Sequence, residues 1–173
     1  MMNKYFTFIF LVSLAFKSNC QTLCNCEAII DVEYKKKISL FEKPNGQVIK
    51  EVKHNVKNDD FLTLIIEKDS LDYFKVNLRH SISGDEIKGW IKKNNYIGTF
   101  ARNYNSKKRL NLYSKPNLNS EIKSTVNEWT NQLYVIHKCS QKWVYVKIKN
   151  KGKIVEGWLQ PEMQCPNIYT TCN

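Results

Sequence analysis

A hairpin pattern that ends in glycine, tryptophan and an aliphatic residue occurs twice in this chain. In the second copy, residues 143–159, the aliphatic Val144, Val146 and Ile148 alternate with aromatic and lysine residues. This alternation is typical of a strand that buries one face, and the Asn-Lys-Gly sequence at residues 150–152 favours a hairpin turn. A looser copy occupies residues 73–91. Two copies of one hairpin predict two copies of one small β domain.

The segments that open the two copies match residue by residue. Residues 38–45 and residues 110–117 both read apolar, polar, apolar, aromatic, polar, lysine, proline, asparagine. Apart from the apolar run at residues 5–16, no segment shows the spacing of apolar residues that indicates a helix. We therefore predict an all-β protein with two small five-stranded barrels in tandem, the first with its linker at residues 37–105 and the second at residues 106–162.

The segments around the two repeats also carry predictions. The joint at residues 94–105 contains Tyr96, Phe100 and Tyr104 and lacks the composition of a flexible tether, so the two barrels should touch. The flanking segments both bear cysteines, and we expect an N-terminal strand at residues 21–36 and a C-terminal tail at residues 163–173.

The first twenty residues have the composition of an export signal. Lys4 precedes the apolar run at residues 5–16, which is too short to span a bilayer as a helix, and a polar stretch ends at Cys20. We therefore predict a cleaved signal peptide over residues 1–20 and a periplasmic or secreted protein. Alternatively, Cys20 is retained as the lipid-bearing residue of a lipoprotein. No second apolar run reaches spanning length, so no transmembrane segment is expected.

The cysteines that follow Cys20 are expected to form disulfide bonds, because export places them in an oxidising compartment. Cys165 and Cys172 would close a short loop, while either Cys24 or Cys26 would tie the N-terminal strand to Cys139 in the second repeat. An odd number of cysteines leaves one thiol free or paired between chains. The connectivity stays open, and the disulfide candidates are Cys24, Cys26, Cys139, Cys165 and Cys172.

The second repeat, at about residues 110–161, resembles the bacterial Src-homology-3-like domain. The first repeat, at about residues 38–92, follows the same plan with Tyr73 in place of a tryptophan. Two lysines, Lys43 and Lys115, stand where that family often has glycine before the proline. The matching features of the second repeat are its opening Leu-Asn-Leu-Tyr at residues 110–113, Pro116, the strands around Ile122 and at residues 133–137, the Trp-Val-Tyr-Val at residues 143–146, and the Gly-Trp-Leu at residues 157–159.

This resemblance implies a targeting domain of an extracytoplasmic protein, often one that binds cell-wall peptide or glycan. It further implies a shallow groove for an extended ligand, where flat aromatic rings provide contact area. Lysines beside the groove and the formal net charge of +11 favour an anionic ligand. The groove candidates are Phe41, Tyr73, Tyr113, Trp143 and Lys115. Trp90 and Trp158 are expected to be core or half-buried strand residues.

No catalytic residue, metal site or cofactor is expected. His137 and Cys139 lie two apart on a predicted strand and would share a face, but a surface histidine beside a disulfide cysteine is the preferred interpretation. The cysteines at 24, 26, 165 and 172 lack the usual spacing of zinc ligands. His54 and His80 lie in polar loop sequence and are expected to be solvated.

We therefore expect a non-catalytic binding module whose ligand is an anionic cell-envelope peptide or glycan. The alternative is a module that docks on an extracytoplasmic protein, for example as an inhibitor of an enzyme. Nucleic-acid binding is not expected, because export separates the chain from nucleic acid and no recognition motif is present.

Overall fold

The computed structural model describes residues 21–170 of the chain. These residues form an all-β fold, as predicted, and contain no helix that is long and apolar enough to cross a membrane. The predicted signal peptide, the alternative lipid on Cys20, and Cys172 lie outside the described residues. The strands are β1 (Thr22–Ile30), β2 (Ile38–Phe41), β3 (Val48–Val52), β4 (Leu62–Asp69), β5 (Tyr73–His80), β6 (Glu86–Lys92), β7 (Ile97–Ala101), β8 (Leu110–Tyr113), β9 (Ile122–Val126), β10 (Tyr134–Ser140), β11 (Trp143–Asn150), β12 (Lys153–Leu159) and β13 (Gln164–Cys165).

The strands form one open antiparallel sheet with two equivalent halves. Its order is β3-β2-β6-β5-β4, then β1-β7, then β10-β11-β12-β8-β9. We call β2 to β6 the first unit and β8 to β12 the second unit. Within each unit the second strand in sequence lies outermost, the first and fifth strands pair, and the last three form a meander. The repeat in the sequence is therefore a repeat of strand order.

The two units are joined by strands that belong to neither repeat. β1 pairs with β4 on one side and with β7 on the other, while β7 also pairs with β10 and β13. The joint that the sequence predicted as a packed segment is strand β7. Its flanking aromatics are buried, since Tyr96 is 8% and Tyr104 is 4% exposed. The Tyr104 and Tyr134 hydroxyls are 2.9 Å apart, which fastens the joint to the second unit.

Irregularities in the sheet also repeat. The register of β2 on β3 shifts between Leu40 and Phe41, and that of β8 on β9 shifts between Leu112 and Tyr113. The register of the third strand on the fourth shifts between Ile66 and Lys68 in the first unit and between Ile136 and Lys138 in the second. Such bulges bend a strand and increase its twist. The two units therefore curve at the same places.

The glycine of each Gly-Trp-aliphatic triplet is explained by a close approach between strands. A Cβ atom on Gly89 would lie 3.2 Å from the Cβ atom of Leu40, and one on Gly157 would lie 2.8 Å from that of Leu112. Both glycines thus sit where the fifth strand of a unit meets its first strand. A side chain there would push apart the two strands that must pair.

The core is continuous through both units and the strands between them. Every second residue of β11 is buried, with Val144 and Val146 0% and Ile148 5% exposed, as the alternation in the sequence predicted. The largest fully buried side chains are contributed by both units and by β1 and β7; they are Tyr134, Phe74, Ile29, Ile30, Ile38, Leu40, Leu62, Ile66, Leu78, Ile91, Ile97 and Leu110.

A disulfide bond between Cys24 and Cys139 ties β1 to the second unit. Of the two alternatives for Cys139, the structure has Cys24. Cys165 is disulfide-bonded as well. Cys26 was a disulfide candidate but is a free, buried thiol; it follows an irregularity in β1, whose register on β4 shifts between Leu23 and Cys26. It is 1% exposed, and its S–H donates to the carbonyl oxygen of Gln141 at 3.0 Å.

The free thiol of Cys26 is unreactive in the folded protein. Burial raises the pKa of Cys26 to about 12, with a smaller contribution from the charge of Asp69. Since the thiolate is the reactive form, Cys26 is inert in the folded protein at neutral pH. Among the described residues, the free thiol is therefore a core residue and not a point of attachment to a second chain.

Asp69, at the end of β4, fastens the two units by polar contacts. Its carboxylate accepts a hydrogen bond from the backbone N–H of Cys139 at 2.8 Å and forms an ion pair with the ammonium group of Lys93. The side chain of Asp69 is 10% exposed and that of Lys93 is 16% exposed. A buried charge is costly unless it is paired and hydrogen-bonded. The stability of the Asp69 carboxylate in this place therefore depends on both the N–H of Cys139 and the ammonium group of Lys93.

Candidate binding surface

The outer face of the second unit carries four aromatic side chains on three neighbouring strands. Tyr113 on β8 lies opposite Trp158 on β12, and Trp158 lies opposite Tyr145 on β11. Trp143 lies two residues before Tyr145 and therefore on the same face of β11. All four side chains are half-buried, so each ring has one side against the sheet and another towards solvent. We call these four residues the aromatic face.

The rings of the aromatic face contact one another in two pairs. The ring centroids of Tyr113 and Trp143 are 5.7 Å apart at an interplanar angle of 85°. Those of Tyr145 and Trp158 are 5.6 Å apart at 79°. Edge-to-face packing of this kind fixes ring positions and is favourable beyond the apolar area that it buries. The aromatic face is therefore held in place before any ligand arrives.

A cleft of about 450 Å³ adjoins the aromatic face at Trp143. Its other walls come from Lys142, from Pro161 and from Leu23 on β1, whose side chain is 70% exposed. A concave site with a tryptophan wall, apolar neighbours and one ammonium group can hold a flat apolar or sugar-like group beside an anion. The Cys24–Cys139 disulfide bond lies at the same place, because Cys24 also lines the cleft.

The equivalent aromatic pair of the first unit has the same geometry but is less open. The ring centroids of Phe41 and Tyr73 are 5.7 Å apart at 86°. Tyr73 is only 6% exposed, and its hydroxyl donates to the side-chain oxygen of Asn45 at 3.1 Å. Trp90 is 8% exposed, and Lys75 stands where the second unit has Tyr145. The structure thus brings each predicted aromatic pair together, with the more accessible pair in the second unit.

The lysines around the second unit fall into two groups. Lys123 and Lys147 both pair with Glu156, and Lys151 pairs with Glu128. These ammonium groups already have a counter-charge. Among the residues that the structure describes, four other lysines of the second unit form no ion pair: Lys115, Lys142, Lys149 and Lys153. Lys115, in the loop after β8, and Lys142, beside Trp143, are exposed and flank the Tyr113–Trp143 pair in sequence.

Glu156 is the acidic centre of the aromatic face. Hydrogen bonds from Lys123, Tyr145 and Lys147 lower the pKa of its carboxyl group from 4.5 to about 2, with Lys123 contributing most. The same contact raises the pKa of Lys123. A lowered carboxyl pKa means that this group stabilises the fold above pH 4.5 and that the contribution is lost as the pH falls towards 2.

We therefore expect the Glu156 carboxyl group to stay ionised until about pH 2, as followed by its carboxyl ¹³C chemical shift in an acid titration. In the Glu156→Gln variant, the acid-induced loss of thermal stability below pH 4.5 will be smaller than in the parent protein. Glu121→Gln is the matched control, because Glu121 is exposed and its side chain has no ion pair among the described residues. An unchanged pH profile in Glu156→Gln contradicts the expectation.

The histidine and cysteine of the second unit do not form a catalytic pair. The bulge between Ile136 and Lys138 breaks the alternation on β10, so His137 faces outwards and Cys139 faces the core. Cys139 is also disulfide-bonded and offers no thiolate to His137. Burial and the charges of Lys147 and Lys93 lower the pKa of His137. The preferred interpretation, a histidine beside a disulfide cysteine, agrees with this placement.

The expectation that His54 is solvated was wrong. His54 is 5% exposed, and its ring packs edge-on against that of Phe61 with the centroids 5.4 Å apart. Its Nδ1 accepts from the backbone N–H of Leu62 at 3.0 Å, so its Nε2–H donates to the carbonyl oxygen of Asp31 at 3.0 Å. Burial lowers the pKa of His54, so the imidazole ring stays in its neutral form. His54 is therefore a buried neutral histidine with a hydrogen-bond partner for each ring nitrogen.

His80 is half-buried at a cleft of about 630 Å³ that His54 also lines. Its Nδ1 is 3.7 Å from the carboxylate of Asp60. That carboxylate accepts the backbone N–H groups of Ile82 and Ser83, at 2.7 Å and 3.2 Å. Burial alone would raise the pKa of Asp60, but these hydrogen bonds and His80 lower it overall. The Asp60 carboxylate therefore stabilises the loop after β5 through these two hydrogen bonds.

Within residues 21–170, no group of three or more histidine, cysteine or acidic side chains is arranged to hold a metal ion. Cys24 is committed to the bond with Cys139, so it is not available to a four-cysteine zinc site. Sequence reasoning missed Tyr145, Leu23 and Pro161. Tyr145 was detectable, since it alternates with the buried valines of β11, whereas Leu23 reaches the cleft only through the placement of β1.

Neither a family model nor a curated protein matches the chain.

Proposed function

We propose that the protein is an extracytoplasmic binding module without catalytic activity, and that the aromatic face of its second unit recognises an anionic cell-envelope ligand, a peptidoglycan peptide or glycan. One observation carries the proposal: the Tyr113–Trp143 pair is held edge to face at 5.7 Å and borders an open cleft with Lys142 on its rim. Aromatic planes stack on sugar rings or extended peptides, and the ammonium group supplies the counter-charge.

The proposal includes tandem Src-homology-3-like barrels. It is supported by the strand order shared by the two units and by their matching bulges, which curve each five-stranded half at the same points. Placement outside the cytoplasm is supported by the Cys24–Cys139 disulfide bond, since such bonds persist in oxidising compartments. The predicted signal peptide or lipid at Cys20 belongs to the same proposal.

A second candidate is a module that docks on another extracytoplasmic protein. The exposed Leu23 and the half-buried Pro161 favour it, because they give the cleft an apolar rim that suits a protruding side chain of a partner. The two candidates use the same cleft. The first candidate predicts that the purified protein retains wall polymer from cell-envelope fractions. The second predicts that it retains a single protein.

The test is retention on purified peptidoglycan at low and high salt. The Tyr113→Ala/Trp143→Ala variant will bind about tenfold or more weakly, because aromatic anchors in a cleft supply much of the binding energy. Binding by the parent protein will weaken at high salt, since exposed charges are screened. Retention of the parent and the variant to the same extent would count against the proposal. Retention of a single protein from an envelope extract, with none on wall polymer, favours the second candidate.

Two further variants separate binding from folding. Trp129→Ala removes a tryptophan that is 38% exposed and lines a different cleft, so it should leave retention unchanged. Lys142→Glu reverses an exposed charge beside Trp143 without removing any core atom, and it should weaken retention mainly at low salt. If Lys142→Glu binds like the parent protein at low salt, the charge argument is wrong.

A further inference from the structure

Another cleft, of about 680 Å³, lies where the first unit, the end of β7 and the C-terminal segment meet. The first unit contributes Thr63 and Arg79, the chain after β7 contributes Arg102, and residues 164–170 form the remaining wall. None of the predicted groove residues lines this cleft. It is therefore separate from the aromatic face.

Arginine is rare in this chain, yet it is concentrated in this cleft. The sequence has three arginines, at positions 79, 102 and 109, and lysine supplies all its other basic side chains. Two of the three line the cleft. Neither Arg79 nor Arg102 forms an ion pair with any residue that the structure describes. Arginine, unlike lysine, binds carboxylate and phosphate groups through two parallel hydrogen bonds.

The guanidinium group of Arg102 is held from the side of its Nε atom, whereas Arg79 is exposed and makes a longer contact through its own Nε atom. The Nε–H of Arg102 donates to the carbonyl oxygen of Glu162 at 3.0 Å, and that of Arg79 approaches the hydroxyl of Thr63 at 3.5 Å. The terminal nitrogens of both groups have no hydrogen bond to the described residues. A planar group anchored through Nε keeps its terminal N–H groups in a fixed direction, which lowers the entropy cost of binding an anion.

The C-terminal wall of the cleft is fastened at several points. The Tyr169 hydroxyl donates to the carbonyl oxygen of Asp59 at 2.7 Å, and its ring lies 5.9 Å from that of Phe61. At the other end, the backbone N–H of Cys165 donates to the hydroxyl of Thr99 at 3.2 Å. These contacts hold the segment against both the first unit and β7, so the cleft is part of the folded structure.

One acidic side chain, Glu27 on β1, also lines the cleft. It lies more than 4.0 Å from both guanidinium groups, since it forms no ion pair with either. The two arginines therefore keep an excess positive charge in the cleft. Removing the charge of Glu27 will increase that excess.

We propose that this cleft binds a small anionic ligand through a carboxylate or phosphate group, which Arg79 and Arg102 hold from two sides. The site is distinct from the aromatic face and does not depend on the function proposed for it. The carbonyl oxygen of Glu162 positions Arg102, and the Thr63 hydroxyl lies 3.5 Å from Nε of Arg79.

The test is an NMR titration of the purified ¹⁵N-labelled protein with sodium citrate and, separately, with sodium phosphate at constant ionic strength. We expect saturable shifts of the Nε–Hε signals of Arg79 and Arg102 with at least one of the two anions. Saturation by citrate alone assigns a carboxylate ligand, and saturation by phosphate alone assigns a phosphate ligand. Shifts that stay linear with both anions would overturn the proposal.

Matched variants decide whether the arginines are responsible. Arg79→Lys/Arg102→Lys keeps the charge but removes the two-pronged contact, and it will weaken binding about tenfold or more. Arg109→Lys is the control, because Arg109 is exposed and does not line the cleft. Glu27→Gln will tighten binding severalfold. Equal affinities in the parent protein and the double variant would also overturn the proposal, and the amide spectrum of each variant reports whether it is folded.

Discussion

Replacing Cys24 and Cys139 together by serine will lower the free energy of unfolding by roughly 4 to 5 kcal/mol. The bond joins residues separated by 115 positions, so it closes most of the chain into one loop. Cross-linking removes conformational entropy from the unfolded chain, and the effect grows with the length of the loop. The measurement is equilibrium denaturation in urea, with the midpoint and the slope fitted separately.

Reduction of the parent protein is the independent check on this result. It should lower the denaturation midpoint at least as much as the double serine variant, since it opens the same bond. Cys26→Ala is the matched control, because it removes a cysteine from the same strand while the Cys24–Cys139 bond stays in place. If the double serine variant and the parent protein unfold at the same urea concentration, the long loop contributes nothing to stability.

The strands were predictable from the sequence because their signals are local. Val144, Val146 and Ile148 alternate with outward residues, and the structure buries all three. The packed joint at β7 was predictable for a similar reason, since residues 94–105 lack the composition of a flexible tether. Comparison of the two repeats placed Tyr113 and Trp143 at the positions of Phe41 and Tyr73, and the structure adds that the two rings of each pair are in contact.

The features that escaped prediction depend on distant parts of the chain. The bulge on β10 turns Cys139 towards the core, which a strict period of two does not allow. The burial of His54 requires Asp31 and Leu62 as its partners. The arginine cleft requires the C-terminal segment to cross the first unit, and nothing in residues 164–170 indicates that path.

Asp69 and Cys139 occupy equivalent positions in the two units, since each follows the bulge on the third strand of its unit. The structure brings these two equivalent positions together, with the carboxylate of Asp69 on the backbone N–H of Cys139. One position therefore carries a buried carboxylate in the first unit and a disulfide cysteine in the second. Asp69 connects the two units directly, while the disulfide bond of Cys139 ties the second unit to β1.

Asp69→Ala will destabilise the protein by roughly 3 to 5 kcal/mol, because it leaves the ammonium group of Lys93, whose side chain is only 16% exposed, without its counter-charge. It also leaves the N–H of Cys139 without an acceptor. Asp69→Asn should lose less, since an amide oxygen still accepts from that N–H. The measurement is again denaturation in urea, with Asp72→Ala as the control, because Asp72 is exposed in the adjacent loop.

A second variant separates the two causes of this loss. Asp69→Leu/Lys93→Met replaces both charges by apolar side chains, so it removes the unpaired ammonium group but still leaves the N–H of Cys139 unbonded. Recovery of most of the stability in this variant would assign the loss to the isolated charge. No recovery would assign it to the contact between β4 and β10, which then depends on the carboxylate itself. A loss below about 1 kcal/mol in Asp69→Ala would contradict both explanations, because a buried ion pair broken on one side costs more than that.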